Sequence, residues 1–338
     1  MSHSNTNGQN KGRFSAIYVE QTAFDYPLTT FILDQYPECS VISISHYKDL
    51  FNRSKQNQRF QKENPALILA VKSEPLLYPG PPICQSFGHT RFKLAHLMIN
   101  CPYDCTYCFL QGLYPSAYQI AYVNLEDFLL AMQQETASGP YYLALSHDAD
   151  LLASHAVVPY LDRLIPWLNQ QKEITAEVRT KAAVSDLFRN HAPVPNLIFA
   201  FTLAPERIIQ QYENKTPSLN ARLSAIQTAI NYGHAVRLIF DPVFADETFR
   251  DDYLSFFETV FTHIKPHQVL DVSYGFFRMP DTLYRRIAKK RTDSPLFVNP
   301  LPCEQKNRSY PLETREAWTH DHLSILTRFL PREKIFLI

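Results

Sequence analysis

The sequence predicts an α/β protein built on a partial (β/α)6 TIM-like barrel of parallel strands over residues 91–280. A small α/β lead-in precedes it over 14–90, and an extension follows over 281–338. Three observations predict this. Apolar runs of strand length alternate with stretches of helical periodicity along most of the chain. About six such units can be counted from residue 92, short of the eight that close a full barrel. Polar and thiol-bearing residues recur just past the strand ends, as expected where parallel strands turn their reactive ends one way.

Taken in order, residues 1–13 are polar, rich in Asn, Ser and Gly, and read as a disordered tail. Residues 14–20 have strand composition, and 26–36 carry apolar residues at helical spacing with Pro27 in the first turn. Residues 40–44 and 66–71 read as buried strands. Between them Lys48, Arg53, Lys55, Arg59 and Lys62 mark a solvated loop rather than a phosphate-contacting strip. Proline-rich residues 76–82 form a linker. The six barrel strands are then 92–100, 141–145, 174–179, 196–201, 235–240 and 269–273. Helices fall between them, beginning near Tyr122 and over 157–168, 184–188, 219–232 and 253–261; Gly233 stops the fourth.

Composition narrows the function classes. Hydrophobic residues make up 45% of 338 and charged residues 20%, the balance of a globular chain. With 33 basic and 33 acidic side chains, no global field draws the protein onto nucleic acid, so such contact would need a local patch. No apolar run reaches membrane-span length, and the first residues lack an apolar signal core. The six cysteines are too scattered for a disulfide framework; with no membrane partner or leader in view, a reducing cytoplasm is the expected compartment.

Three of those cysteines fall within eight residues, Cys101-Pro-Tyr-Asp-Cys105-Thr-Tyr-Cys108. A short loop at this spacing converges three thiolates on one face of an iron–sulfur cube without long-range closure. No fourth cysteine lies nearby, which leaves one iron with an open position for a ligand and points to chemistry at the metal. The competing readings are a zinc site completed by His89 or His96, or three structural thiols. Zinc sites usually pair two separated Cys-x-x-Cys knuckles, and this chain has one.

The Cys-x-x-x-Cys-x-x-Cys spacing, with an aromatic before the last cysteine, resembles that of the radical S-adenosylmethionine (SAM) enzymes. The resemblance implies a radical SAM type of partial barrel and a 4Fe-4S cluster on Cys101, Cys105 and Cys108. It also implies SAM chelated at the open iron and cleaved to a 5′-deoxyadenosyl radical. A reducing partner such as a flavodoxin or ferredoxin is implied with it.

Within that superfamily the chain resembles spore photoproduct lyase, which reverses a UV-induced thymine dimer in DNA. The matching stretches, in one order, begin with Ile17-Tyr-Val-Glu20, Tyr26-Pro-Leu28, Cys108-Phe-Leu-Gln111 and Tyr122-Val-Asn-Leu-Glu-Asp127. They continue with Arg179-Thr-Lys181, Glu213 with Thr216, Leu219 and Arg222, Gly275-Phe-Phe-Arg278 and Lys334-Ile-Phe-Leu-Ile338. By resemblance, Lys181 would face the SAM carboxylate and the Thr202 hydroxyl would lie near SAM. Arg308 and Tyr310 fall where the family meets DNA, and Arg285, Arg286, Lys289, Lys290 and Arg291 form a second basic cluster nearby.

Departures from the family qualify the reaction. Its hydrogen-donor cysteine is Leu145 here, whose C–H bonds are much stronger than S–H. A serine near SAM is His147, followed by Asp148, and the relay tyrosine after the last cluster cysteine is Phe109, although Tyr107 remains. One resolution moves the donor to Cys84 or Cys303 on a loop. The other, which the departures favour, keeps radical generation and changes substrate or outcome, with His147 and Asp148 as acid–base or binding groups and Tyr107 as the remaining phenol. The leading expectation is thus radical SAM chemistry on a nucleic-acid substrate, with a UV-damaged pyrimidine as the candidate. The alternatives are a radical SAM enzyme acting on RNA, a peptide or a metabolite, and a non-catalytic iron–sulfur or zinc protein that binds nucleic acid.

Overall fold

The computed structural model describes residues 13–245 and 248–338. The tail read over 1–13 lies, but for Arg13, outside the described residues. One sheet holds seven parallel strands in chain order: Phe92–Ala95, Tyr141–Ala144, Ile174–Thr180, Leu197–Thr202, Ala235–Val243, Val272–Phe276 and Ile335–Leu337. Leu77–Pro79 pairs antiparallel with the first. All six predicted barrel strands are present, and the seventh comes from the C-terminal extension, whose Ile335 lies opposite Val272. Helices cover the outer face, so the strands read as near-continuous apolar runs; every residue of Leu197–Thr202 is buried.

The interior is not wholly apolar. Arg237 donates to Glu177 (2.9 Å) and Asp271 (2.8 Å), and the Tyr142 hydroxyl donates to Glu177. Phe87 lies flat against the Arg237 guanidinium, 3.2 Å from its ring centre. The loop between Leu77–Pro79 and Phe92–Ala95 is thereby anchored inside the barrel.

A second sheet orders Val41–Ile44, Ile17–Glu20, Leu67–Ala70, Gln119–Tyr122 and Met98–Ile99. Its last two strands come from beyond residue 90, so backbone hydrogen bonds cross the boundary read in the sequence. Four local expectations are corrected. The strand expected over 92–100 breaks after Ala95 and its halves join different sheets. The segment ending at Tyr122 is a strand, with the helix starting later as Leu125–Glu135. The strand expected over 269–273 is Val272–Phe276. Val41–Ile44, expected to be buried, is an edge strand with Val41 and Ile42 exposed, because only one neighbour pairs with it.

Candidate active site

The cysteine loop leaves Met98–Ile99 and is held from three sides. Asp104–Cys105 pairs antiparallel with Glu213–Asn214, and the Thr106 amide donates to the Tyr212 carbonyl. Arg222 fixes that partner strand: fully buried, it donates to Glu213 at 2.5 Å, to Thr216 at 2.7 Å and to the Thr202 carbonyl at 3.0 Å. From the lead-in, Lys62 Nζ donates to the carbonyls of Cys101 (2.5 Å) and Tyr103 (2.6 Å). The solvated loop expected there is instead two short helices, Tyr47–Phe51 and Gln58–Glu63, of which the second delivers Lys62.

The basic cluster near the C-terminus forms the third support. Arg286 donates to the Gly112 carbonyl, Lys290 to the Gln111 carbonyl, and Arg291 to the Gln111 side chain and to Asp104. Gln111 in turn donates to the Cys105 carbonyl at 2.6 Å. Helix Asp281–Ala288 lies so close that a Cβ on Gly112 would meet the Leu283 carbonyl oxygen at 2.9 Å. Three of the five basic side chains therefore clamp the cysteine loop, and of the remaining two Arg285 is exposed beside Asp281.

The loop faces a cavity of about 460 Å³ at the C-terminal ends of the barrel strands, lined by Cys101, Cys105, Cys108, Tyr107, His147, Lys181 and Thr202. Sequence reading had nominated all seven. Cys84 also lines it, whereas Cys303 is exposed in the hairpin Cys303–Glu304 and is not among the lining residues. Among the other lining residues, Asp150, Arg179 and Arg278 carry no role in the sequence reading. Asp150 accepts from the Thr180 hydroxyl and the Lys181 amide, both at 2.8 Å, which fixes the strand end that carries Lys181. Arg179 donates to Glu177 at 3.1 Å. Their signal in the sequence was their place beside strand ends.

Each nominated residue has a distinct setting. Lys181 Nζ stands 3.8 Å from Glu213, which the Tyr107 hydroxyl also reaches as a donor. Tyr107 thus presents its ring to the cavity and commits its O–H behind it. His147 Nδ1 bonds Asp148 at 2.6 Å, and its Nε2 faces Cys84 Sγ at 3.9 Å. Burial alone would lower the His147 pKa; the bonds to Asp148 and Cys84 outweigh it and lift it to about 9. Burial would raise Asp148, but His147 and His96 (3.0 Å) hold it well below the carboxylate range, and the Tyr114 hydroxyl donates to it as well. Asp148 is not among the cavity-lining residues and acts on the cavity through His147.

Arg308 and Tyr310 lie outside the cavity wall. Arg308 donates to Asp281 (2.6 Å) and the Leu301 carbonyl (2.7 Å), and the Tyr310 hydroxyl both accepts from the Ala245 amide and donates to its carbonyl. Both side chains are occupied in holding the C-terminal hairpin.

The donor set fits a three-thiolate cluster with SAM. Burial pushes all three loop thiols up, Cys101 to about 12, so they would be protonated and inert without the positive charge of a metal. All three converge on one cavity that also holds an ammonium and a hydroxyl suited to an amino-acid carboxylate. The His96, His147 and Asp148 ligand atoms also approach within 4.8 Å of one another, where both imidazoles bond the Asp148 carboxylate through Nδ1.

A partial barrel bearing a three-cysteine loop at its strand ends is the architecture of a radical SAM protein. A sequence profile described as "Spore photoproduct lyase" matches residues 14–311. A spore photoproduct lyase of Clostridium acetobutylicum (strain ATCC 824) is 23% identical over 261 residues, 71% of either chain. Among solved structures, a cysteine-to-alanine mutant of spore photoproduct lyase superposes with TM-score 0.81 at 16% identity, over 96% of this chain and 98% of that one. A double mutant with bound AdoMet and dinucleoside spore photoproduct gives 0.77 at 17% with the same coverage. The chain belongs to the spore photoproduct lyase family. Its partial TIM-like radical SAM fold follows from the same likeness.

Proposed function

We propose that this protein reverses a UV photolesion of DNA pyrimidines by radical SAM chemistry, with Cys84 returning the hydrogen atom. The supporting observation is the single cavity shared by the three cluster cysteines, Lys181, Thr202 and Cys84. When bound, the 4Fe-4S cluster and SAM would supply a 5′-deoxyadenosyl radical, fed by a flavodoxin- or ferredoxin-type carrier. Cys101, Cys105 and Cys108 would hold the cluster, and Lys181 and Thr202 the amino-acid end of SAM. Cys84 would give its S–H hydrogen to the substrate carbon radical, the step that Leu145, buried in the core, cannot perform. His147 orients that thiol, and Asp148 orients His147.

The cavity wall near Cys84 is built to keep the thiol in place. Arg278, clamped on Asp241 at 2.9 Å, donates to the Ile83 carbonyl, and Gln85 donates to the Leu337 carbonyl. Such pre-positioning is what a short-lived radical requires. A second reading, a substrate other than DNA, draws support from Arg308 and Tyr310, whose polar groups are engaged within the fold.

Anaerobic reconstitution with a strong reductant, SAM and a UV-damaged oligonucleotide tests the proposal. Wild type is expected to form 5′-deoxyadenosine and restore thymines. Cys105→Ala should lose cluster and SAM cleavage together, while Cys84→Ala should keep SAM cleavage and lose restored thymine. SAM cleavage without any change in the oligonucleotide would favour the second reading.

A further inference from the structure

We infer that His147 is the proton source for Cys84: its Nε2 nitrogen protonates the sulfur each time Cys84 has given up its hydrogen. The inference rests on Cys84 being the hydrogen donor. Nδ1 is fixed on Asp148, so Nε2 is the ring atom turned to the cavity, and it faces Sγ at 3.9 Å, within the longer reach of sulfur. Asp148 is itself fixed by His96 and Tyr114, so the carboxylate that Nδ1 bonds cannot follow the ring, and turning away would cost His147 a 2.6 Å bond to a buried charge.

The groups around the ring are few. Phe109 packs on it at 5.2 Å and carries no proton, His96 lies 6.1 Å away ring to ring, and Arg179 is the cation near Cys84. His147 keeps 22% of its side chain exposed, enough to regain a proton from cavity water. Burial opposes its charge, but the bonds to Asp148 and Cys84 keep it protonated at neutral pH.

The step balances. Hydrogen-atom transfer breaks S–H and forms C–H, leaving a sulfur radical short of one electron and one proton. One electron from the one-electron carrier makes the thiolate. The Nε2–H bond then breaks, S–H forms, and the neutral imidazole takes a proton from water.

Two measurements test this. In multiple-turnover assays His147→Gln should complete about one repair per enzyme and then continue at least about 100-fold more slowly than wild type, the size of a lost general acid. Asp148→Asn should show an intermediate loss. Independently of turnover, the pH dependence of Cys84 alkylation, followed by peptide mass spectrometry, should differ between wild type and His147→Gln, because Nε2 of the imidazole faces the sulfur at 3.9 Å. Undiminished turnover in His147→Gln, or the same alkylation profile as wild type, overturns the proton-source role alone. Undiminished repair by Cys84→Ala overturns the hydrogen-donor reading beneath it. If His147→Gln loads no cluster, the alkylation profile on cluster-free protein and the Asp148→Asn arm still decide.

Discussion

Asp148 receives His147, His96 and Tyr114 on one buried carboxylate, and this concentrates pH sensitivity in a single spot. His147 is lifted from 6.5 to about 9 on folding, so the folded state binds its proton more tightly than the unfolded chain does. The resulting stability is fully present below pH 6.5 and is lost as pH rises through 9; one pKa unit is worth about 1.4 kcal/mol, so the loss is on the order of 3–4 kcal/mol. Thermal melts from pH 6 to 10 should show wild type losing stability over that window. His147→Gln should be less stable at pH 6 and nearly flat across it; a parallel decline in both would place the alkaline sensitivity elsewhere.

At the scale of elements, the cysteine loop has little regular structure of its own and depends on its supports. Arg222 and Glu213 are both buried, so Arg222→Met leaves a carboxylate without its main partner and should cost about 3–5 kcal/mol. Chemical denaturation would read that loss, which should exceed that of Arg222→Met with Glu213→Gln added. Lys62→Met and Arg291→Met should each lower iron and sulfide content per chain after reconstitution, because each removes charge-assisted hydrogen bonds that set the loop, worth about 1.5–3 kcal/mol apiece. Normal loading in both would mean that the remaining contacts suffice. Much of this scale was legible in the sequence: six strands, the cysteine spacing, and Lys181 and Thr202 at strand ends. The clamps were not. Lys62, Arg286, Lys290 and Arg291 look like solvated charge because their partners are mainly backbone carbonyls far along the chain, which no local pattern displays. Arg308 and Tyr310 were placed at a nucleic-acid segment by resemblance to the family, and their polar atoms bond Asp281, Leu301 and Ala245.

Across the whole molecule, the last strand joins two functions that lie far apart in the chain. Ile335–Leu337 extends the parallel sheet beside Val272–Phe276, and the Leu337 carbonyl accepts from Gln85, next to Cys84. The cysteine loop takes its support from Lys62, Glu213 and the helix Asp281–Ala288, none of which touches that strand in the contacts described above. Deleting residues 335–338 therefore separates the two. Burying Ile335 contributes about 1.5–3 kcal/mol and the lost ladder bonds add to it, so a lower melting temperature is expected without collapse of the barrel. Cluster content should stay near wild type. Restored thymine per 5′-deoxyadenosine formed should fall, because the loop that presents Cys84 has lost one of its anchors. Equal loss of cluster and of repair would show instead that the final strand supports the barrel as a unit.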